Sequence, residues 1–339
     1  MTRARLFLVA VAALGAASCR DEVLRTLRPS PSTGFDAGMP PPPPGGCDKT
    51  LAGFATLEGG TVGGEGGQAV VVTNDTDLQS YASKTDPFVI TVSGMIRHPG
   101  QIDVGSFKTI VGADARSGIV GGGLSISDRE NVIIRKLVIA QPVGTDAITI
   151  SGSKHVWVDH CDLSSDMVAP KDTYGGLVDI VHASDDVTVS WTCFHDHYHP
   201  STIGGDDKLG AEDTGHLTVT FHHNLFENTY SYNPSIRFGS LHAFDNHYVN
   251  LSSNGISSRM GAQVLAENNL FDMAHTPLTT HLSESPMDGY INDQGNVFNA
   301  STANDITQPG TWTPPYAYTA EPAAEAAALV AACVGPGAI

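Results

Sequence analysis

Histidines at alternate positions form the most conspicuous group of potential metal ligands in this sequence. His195, His197 and His199 are spaced by two residues, and His222 and His223 follow one repeat later. Alternate residues of a strand share a face, so this spacing could place several imidazole nitrogens around a zinc ion. The competing interpretation is that these histidines are structural. The choice depends on the elements that position them.

A short strand that recurs along the chain would hold these side chains. Apolar residues alternate in stretches such as Leu217-Thr-Val-Thr-Phe221, which is the period of a strand with one buried face. The apolar residues that open successive strands are Val132, Val156, Val187, Leu217, Leu241 and Val264, in steps of 24, 31, 30, 24 and 23 residues. A repeat of this length, without helical periodicity between the strands, indicates a solenoid. We therefore predict an all-β right-handed parallel β-helix with short flanking helices.

The predicted solenoid occupies residues 47–339 as one domain. The full length of 339 residues, together with the continuous repeat, favours one solenoid over two globular units. Residues 75–83 have helical spacing and an acidic start, and we expect this helix to cover the first coil. A second short helix is predicted over residues 321–333, packed on the body of the domain.

The charge balance restricts the class of partner. Asp and Glu number 36 against 18 Lys and Arg, which gives a formal net charge of −18. Non-specific nucleic-acid binding needs a basic stripe, so we expect no nucleic-acid partner. A polyanionic ligand would need a locally basic cleft or a bridging cation. We expect a monomer.

The N-terminal residues are predicted to direct export. Arg3 and Arg5 precede an apolar run, residues 6–17, that is too short to span a bilayer. Ala-Ala-Ser-Cys19 resembles a bacterial lipoprotein cleavage site, so residues 1–19 are interpreted as a signal peptide with Cys19 as the lipid-bearing residue; cleavage by an ordinary signal peptidase is the alternative. Residues 20–46 include five consecutive prolines and are expected to form a stiff linker between membrane and domain.

Four further cysteines suggest disulfides in an exported chain. Cys161 and Cys193 follow corresponding strands of adjacent coils, so they could bridge, and Cys47 and Cys333 would then join the start of the domain to its end. The alternative is that some of the four are buried apolar thiols.

Six stretches, in order along the chain, resemble polysaccharide lyase family 1, the pectate lyases. They are GFATLEGGTVGGEGG (53–67), HVWVDHCDLSS (155–165), DVTVSWTCFHDH (186–197), GHLTVTFHHNLFEN (215–228), PSIRFG (234–239) and SSRMGAQVLAENNLF (257–271). The resemblance implies the β-helix already inferred from the repeat, and an acidic polysaccharide as partner. It also favours the structural interpretation of the histidines, because Asp-His and His-His-Asn are sequence motifs of the structural framework in this family.

The chemistry that the resemblance implies is β-elimination. In this family calcium bridges substrate carboxylates to acidic residues, which makes the proton beside the carboxylate easier to remove. The family's calcium ligands fall on Asp146 and Asp179, but a third acidic position is Gly175 here. Asp172, three residues upstream, is the candidate replacement.

The catalytic positions depart from the family more than the scaffold does. The family's base arginine falls on Tyr232, its substrate-binding lysine falls on His199, and the second arginine is kept as Arg237. A phenolate would be favoured beside Arg237 or a bound cation, so Tyr232 and His199 could share the base and acid roles. We expect both to face the same cleft.

Three functional interpretations follow. The first is a lyase for pectate or polygalacturonate with an altered catalytic centre, and the second is a non-catalytic surface protein that binds such glycans. A purely structural cell-surface solenoid is the third. Asp206-Asp207 and Glu212-Asp213 are expected to lie in a solvated loop that could hold an additional cation, and Arg259 is expected to brace a coil.

Overall fold

The computed structural model describes residues 46–339, which fold as a parallel β-helix. Strands stack into one sheet of ten strands and one of fifteen, and every pairing between these strands is parallel. The predicted fold is therefore confirmed. The predicted signal peptide with Cys19, and the predicted linker except Gly46, lie outside the described residues.

The strands carry the numbering used below. They are β1 (Gln68–Val72), β2 (Phe88–Val92), β3 (Met95–Asp103), β4 (Lys108–Gly112), β5 (Gly118–Ser127), β6 (Glu130–Arg135), β7 (Val138–Ala140), β8 (Ile148–Ser151), β9 (Lys154–Asp159), β10 (Asp162–Ser164), β11 (Val178–Val181), β12 (Asp185–Ser190), β13 (Cys193–His197), β14 (Thr202–Ile203), β15 (Thr218–His222), β16 (Leu225–Thr229), β17 (Ser235–Arg237), β18 (Ser240–Phe244), β19 (His247–Leu251), β20 (Ile256–Arg259), β21 (Gln263–Glu267), β22 (Leu270–Ala274), β23 (Leu278–Thr279), β24 (Tyr290–Gln294) and β25 (Val297–Asn299). The α-helices are α1 (Asp75–Ala82), α2 (Gly210–Asp213) and α3 (Ala323–Cys333). Short 3-10 helices span Phe54–Gly59, Lys171–Thr173 and Asp207–Leu209.

The solenoid has three faces, because the fifteen-stranded sheet folds around a corner at β5. The first part of β5 pairs with β7, and its last part pairs with β8. The ten-stranded sheet is the first face. The second face runs from β7 through β10, β13, β16, β19 and β22 to β25, and the third from β8 through β11, β14, β17 and β20 to β23.

Repeated side chains fill the inside of the solenoid. Five aromatic rings stack from coil to coil with centroid separations of 4.5, 5.0, 4.4 and 5.3 Å; they are Phe194, Phe226, Tyr248, Phe271 and Phe298. These residues occupy equivalent positions of the second face, so the repeat seen in the sequence is a repeat of core contacts. Offset aromatic stacking adds to the area buried by each ring.

Both predicted helices are present. Helix α1 begins after Asn74, whose side-chain oxygen accepts from the backbone N–H of Asp77, and it packs on β2 and β3 at the N-terminal end of the solenoid. Helix α3 packs on β19 and β22. Within residues 46–339 no helix is long and apolar enough to cross a membrane.

One predicted disulfide is confirmed and the other is wrong. Cys47 and Cys333 are joined, and this bond links the two ends of the described domain. Cys161 and Cys193 are both buried thiols instead. Cys193 lies opposite Asp162 in the register of β10 and β13, one position away from Cys161. Because successive strand residues point to opposite faces, that one-residue offset places Cys161 in the main core and Cys193 beneath α3.

Candidate active site

Two aspartates meet at the start of the third face. Asp146 precedes β8, and Asp179 lies in the adjacent strand β11. The carboxylate of Asp146 accepts from the Gly176 N–H at 2.8 Å and from the Thr149 hydroxyl at 2.6 Å. Asp179 accepts from the Thr202 N–H at 2.9 Å. Strand register thus brings together two carboxylates that are 33 residues apart in the sequence (179 − 146).

The electrostatics of this pair suit a bound cation. Burial, followed by the nearby negative charge of Asp146, raises the pKa of Asp179 well above its ordinary value. Two close carboxylates with hard oxygen donors are a typical partial ligand set for calcium. The residues present therefore fit a calcium ion that also binds carboxylates of a ligand.

The position of the missing acid, Gly175, has no room for a side chain. A Cβ on Gly175 would lie 2.3 Å from the Asp146 carboxylate, and one on Gly176 would lie 2.2 Å from that of Asp179. Both glycines are thus required by the close packing of the aspartates. Asp172 lies in the 3-10 helix Lys171–Thr173, and among the residues described it forms no three-ligand group with the two aspartates.

His199 and Tyr232 form a stacked pair on the third face, just before its strands β14 and β17. Their ring centroids are 4.5 Å apart and their planes differ by 19°. His199 precedes β14 and Tyr232 precedes β17, and the backbone bond from the Ser201 N–H to the Tyr232 carbonyl holds the two segments in register. The expectation that both residues face one cleft agrees with this contact.

Tyr232 is held as a neutral phenol. Its hydroxyl donates to the Glu284 carboxylate at 2.8 Å, and the guanidinium carbon of Arg259 lies 4.9 Å from its ring centroid. Burial raises the pKa of Tyr232; the positive charge of Arg259 opposes this rise, and the hydrogen bond to Glu284 adds to it. The expectation that a phenolate would be favoured is therefore wrong, because burial and Glu284 outweigh the arginines.

His199 is held as a neutral imidazole. Burial, and then the nearby positive charge of Lys171, lowers its pKa to about 4. An imidazole with this pKa is unprotonated at neutral pH and can accept a proton. The pair therefore combines a proton acceptor with a proton donor.

Arg237 and Arg259 occupy equivalent positions on adjacent coils, in the register of β17 and β20. The Nε of Arg237 donates to Asp207 at 2.5 Å, and its Nη1 donates to the Gly204 carbonyl at 2.8 Å. Arg259 is fully buried and donates to the Ser235 hydroxyl at 2.8 Å. This bond is consistent with the expected bracing role of Arg259. Asp207 was expected in a solvated loop, but it is the ion-pair partner of Arg237.

Comparison with known proteins agrees with this arrangement. The family described as Pectate lyase matches residues 47–335. The chain belongs to the pectate lyase family.

Individual relatives extend the likeness over most of the chain. Pectate lyase A of Aspergillus niger is 40% identical over 287 residues, which is 84% of this chain and 86% of that protein. A pectate trisaccharide-lyase of Bacillus licheniformis is 37% identical over 306 residues, covering 86% of this chain and 88% of the relative. The structure of a pectate lyase from Bacillus sp. N165 in complex with trigalacturonate superposes with a TM-score of 0.80 at 29% identity, over 85% of this chain and 99% of the other.

The histidines of this pectate lyase family member do not gather into one metal site. His195, in β13 on the second face, contacts Asp162 and Asp196 at 3.0 Å each. His222 ends β15 on the first face, and its Nδ1 lies 3.0 Å from that of His223. The alternating spacing therefore does not produce the five-histidine zinc site.

Glu284 and the contact role of Arg259 were not predicted from the sequence. Arg259 follows Arg237 by 22 residues (259 − 237), the same step that separates Asn224 from Asn246, so the repeat did carry a signal for it. Glu284 lies in an aperiodic loop between β23 and β24, where no sequence pattern indicates that it reaches Tyr232.

Proposed function

We propose that this protein cleaves pectate-type polysaccharides, chains of uronate residues such as polygalacturonate, by β-elimination. The observation that carries the proposal is the stacked pair of neutral His199 and protonated Tyr232. The pair occupies the sequence positions of the family's substrate lysine and base arginine, on the face of the solenoid that also carries Asp146 and Asp179.

His199 acts as the base in this scheme. Its neutral imidazole takes the proton from the carbon next to the uronate carboxylate, and the electron pair of that bond forms the new carbon–carbon double bond. The bond from the neighbouring carbon to the glycosidic oxygen breaks at the same time. Burial keeps His199 unprotonated at neutral pH, although the lowered pKa also makes the imidazole a weaker base.

Tyr232 acts as the acid. Its hydroxyl gives a proton to the departing glycosidic oxygen, and Arg259 beneath the ring stabilises the phenolate that remains. Arg237, oriented by Asp207 and by the Gly204 carbonyl, binds the uronate carboxylate.

Calcium would be held by Asp146 and Asp179, with Asp172 as a further candidate ligand. When bound, it would neutralise the uronate carboxylate and so make the adjacent C–H more acidic. The chain's own contribution is to hold the two carboxylates side by side against Gly175 and Gly176.

The test measures the ultraviolet absorbance of unsaturated uronate products with polygalacturonate, pectin and alginate, with calcium and with a chelator. We expect activity on polygalacturonate, and we expect His199→Gln and Tyr232→Phe each to lower kcat by roughly 10²–10⁴-fold, the usual contribution of one acid–base group. Tyr230→Phe is the matched control, because Tyr230 is an exposed tyrosine nearby. Full activity of Tyr232→Phe would refute its role as the acid.

A second candidate function is binding of the same polysaccharides without cleavage. It is favoured by the observation that the Tyr232 hydroxyl and the Arg237 guanidinium are already engaged by Glu284 and Asp207. Calorimetric binding of oligogalacturonate without unsaturated product would support it. In that case Tyr232→Arg, which restores the family's residue, should create measurable lyase activity.

Export and a lipid anchor at Cys19 are part of the proposal, with the protein acting as a monomer. The disulfide between Cys47 and Cys333 supports export, because such bonds persist in oxidising compartments. Cys19→Ala should move the protein from the membrane fraction to the soluble fraction. Retention of this variant in the membrane fraction would contradict the anchor.

A further inference from the structure

A second cluster of possible metal ligands lies at a different corner of the solenoid, between the first and second faces. Each coil turns this corner with a residue in the left-handed region; in consecutive coils these include His223, with φ of 54°, and Asp245, with φ of 57°. The register of β15 and β18 pairs His222 with Phe244, so His223 and Asp245 are neighbours one strand spacing apart. Their backbones are therefore separated by roughly 4.8 Å.

The C-terminal tail brings a third ligand to this corner. The backbone N–H of Glu321 donates to the Asp245 carboxylate at 3.1 Å. The Glu321 carboxylate lies 3.2 Å from Nε2 of His223, and Asp245 lies 3.8 Å from the same nitrogen. One ligand atom from each of the three residues lies within 4.8 Å of the other two.

The polar atoms at this corner are incompletely satisfied. Asp245 is fully buried, and its Oδ1, like the Oε2 of Glu321, is a buried oxygen without a hydrogen-bond partner of acceptable geometry. Nδ1 of His223 is engaged with Nδ1 of His222, so Nε2 is the ring atom that faces the two carboxylates. Buried carboxylates placed close together are costly unless one of them takes up a proton or a positive charge accompanies them.

Another cluster of the same type shows how such a charge can be supplied by the protein. Glu58, His155 and Asp186 also place three ligand atoms together, but Lys154 lies between them, 2.5 Å from Glu58 and 3.4 Å from Asp186. In residues 46–339 no lysine or arginine forms an ion pair with Asp245 or Glu321. The group that the protein itself offers to both carboxylates is the imidazole of His223, and a metal ion on its Nε2 would take the place of a proton there.

A cavity gives the corner access to solvent. It has a volume of about 330 Å³, and His222, His223 and Glu321 line it together with Trp191 and Asp48. The ring of Trp191 stacks on that of His223 at 4.1 Å and fixes the plane of the imidazole. A bound ion could thus complete its coordination with water from the cavity.

We propose that His223, Asp245 and Glu321 bind one divalent transition-metal ion, for which zinc is the representative. One imidazole nitrogen and two carboxylate oxygens are a zinc-type ligand set, and a water from the cavity provides the fourth position. The ion would attach the C-terminal tail to the solenoid near the disulfide of Cys47 and Cys333, so its role is structural. The site lies away from the candidate active site on the third face, the region of Asp146, Asp179, His199, Tyr232 and Arg237 that is called the groove below.

Zinc binding to the tag-free, chelator-treated protein tests this site, with excess calcium present to occupy Asp146 and Asp179. Calorimetry should show one zinc per chain. Glu321→Gln should weaken zinc binding by more than about tenfold, since changes even outside the ligand set often cost that much. Glu325→Gln is the matched control, because Glu325 is an exposed glutamate on α3, close to Glu321 in the sequence.

Thermal unfolding separates a metal site from an ordinary structural contact. Zinc should raise the Tm of the wild type and of Glu325→Gln, because a ligand that binds only the folded state stabilises it. For Glu321→Gln the Tm measured without zinc is the reference, and adding zinc should not raise it. Asp245→Asn should behave like Glu321→Gln. Absence of stoichiometric zinc in the wild type, or unchanged zinc affinity in Glu321→Gln, would overturn the proposal.

Discussion

The asparagine column inside the solenoid and the groove on its third face are built from the same repeat in opposite ways. In the column each coil supplies the same residue: Asn224, Asn246, Asn269 and Asn296 pass side-chain hydrogen bonds of 3.0, 2.9 and 2.8 Å from one to the next. In the groove successive coils supply different residues at related positions, as with His199 and Tyr232. Repetition serves stability, and departure from repetition provides a site.

The difference follows from what each position must satisfy. Each asparagine amide of the column also donates to a backbone carbonyl; Asn246 donates to that of Phe221, and Asn269 to that of Ala243. These backbone groups recur in every coil, so the same side chain suits each of them. The groups at one reacting uronate differ from each other, because a carboxylate, a C–H bond and a glycosidic oxygen each need a different partner, so neighbouring coils of the groove supply different side chains.

The largest effect is expected in the column. Asn246→Ala removes the acceptor of the Asn224 N–H and leaves several buried polar groups without partners. We expect a loss of about 3 kcal/mol in the free energy of unfolding, as unsatisfied buried groups cost ~1–3 kcal/mol each. Denaturant unfolding followed by circular dichroism measures it.

Asn250→Gly is the control for this prediction. Asn250 also bonds to an asparagine of the preceding coil, Asn228, but Asn250 is exposed. Its φ of 57° is a conformation that glycine adopts without strain, so the substitution removes the hydrogen bond alone and should change stability by less than about 0.5 kcal/mol. Equal losses for Asn246→Ala and Asn250→Gly would contradict the argument that the buried column carries the stability.

A smaller loss of stability is expected at acidic pH. It should originate in a histidine near the groove, because the asparagine amides of the column do not titrate. Burial lowers the pKa of His197 from its ordinary 6.5 to about 4. The unfolded chain therefore binds the additional proton first, so this contribution to stability is present above pH 6.5 and is lost as pH falls towards 4. Between pH 7 and pH 5 the loss is roughly 2 kcal/mol.

Urea unfolding at pH 7 and pH 5 measures this dependence. His197→Gln keeps a polar side chain at a buried position, next to the backbone N–H of His199 that bonds to Nδ1. The variant should lose less stability than the wild type between the two pH values. An identical pH dependence in both proteins would show that His197 is not the group responsible.

The fold was predictable from the sequence because its determinants are local and repeated. Alternating apolar residues at regular steps predicted the strands, and their spacing predicted the stacking. The link between Cys47 and Cys333 was predicted separately, as the pairing that remained for the cysteines at the two ends of the domain. The pairing of Cys161 with Cys193 failed because it depends on a register offset of one residue, which spacing does not specify.

The candidate site was predictable only in part. Asp146, Asp179, His199, Tyr232 and Arg237 were identified through the resemblance to the pectate lyases. The ionisation of Tyr232 was not, because it depends on burial and on Glu284. Contacts supplied by an aperiodic loop leave no pattern in the sequence, so the chemistry of the groove required the structure.

The smallest of these effects is expected from substitution of Glu284. This substitution tests whether Glu284 belongs to the groove or acts, like the asparagine column, in stability. Glu284→Gln keeps an acceptor for the Tyr232 hydroxyl but removes the charge that helps to raise the pKa of that phenol. We expect the pKa of Tyr232 to fall, as measured by ultraviolet titration of the phenolate against a Tyr232→Phe reference. Lyase activity should fall less than about tenfold, equivalent to ~1.4 kcal/mol, because the acid itself remains. The free energy of unfolding should fall by no more than about 1 kcal/mol, because Glu284 also lies 3.5 Å from Nη1 of the buried Arg259 but is itself half exposed. A large loss of stability with an unchanged pKa would instead place Glu284 among the structural residues, and the division between column and groove would fail at this position.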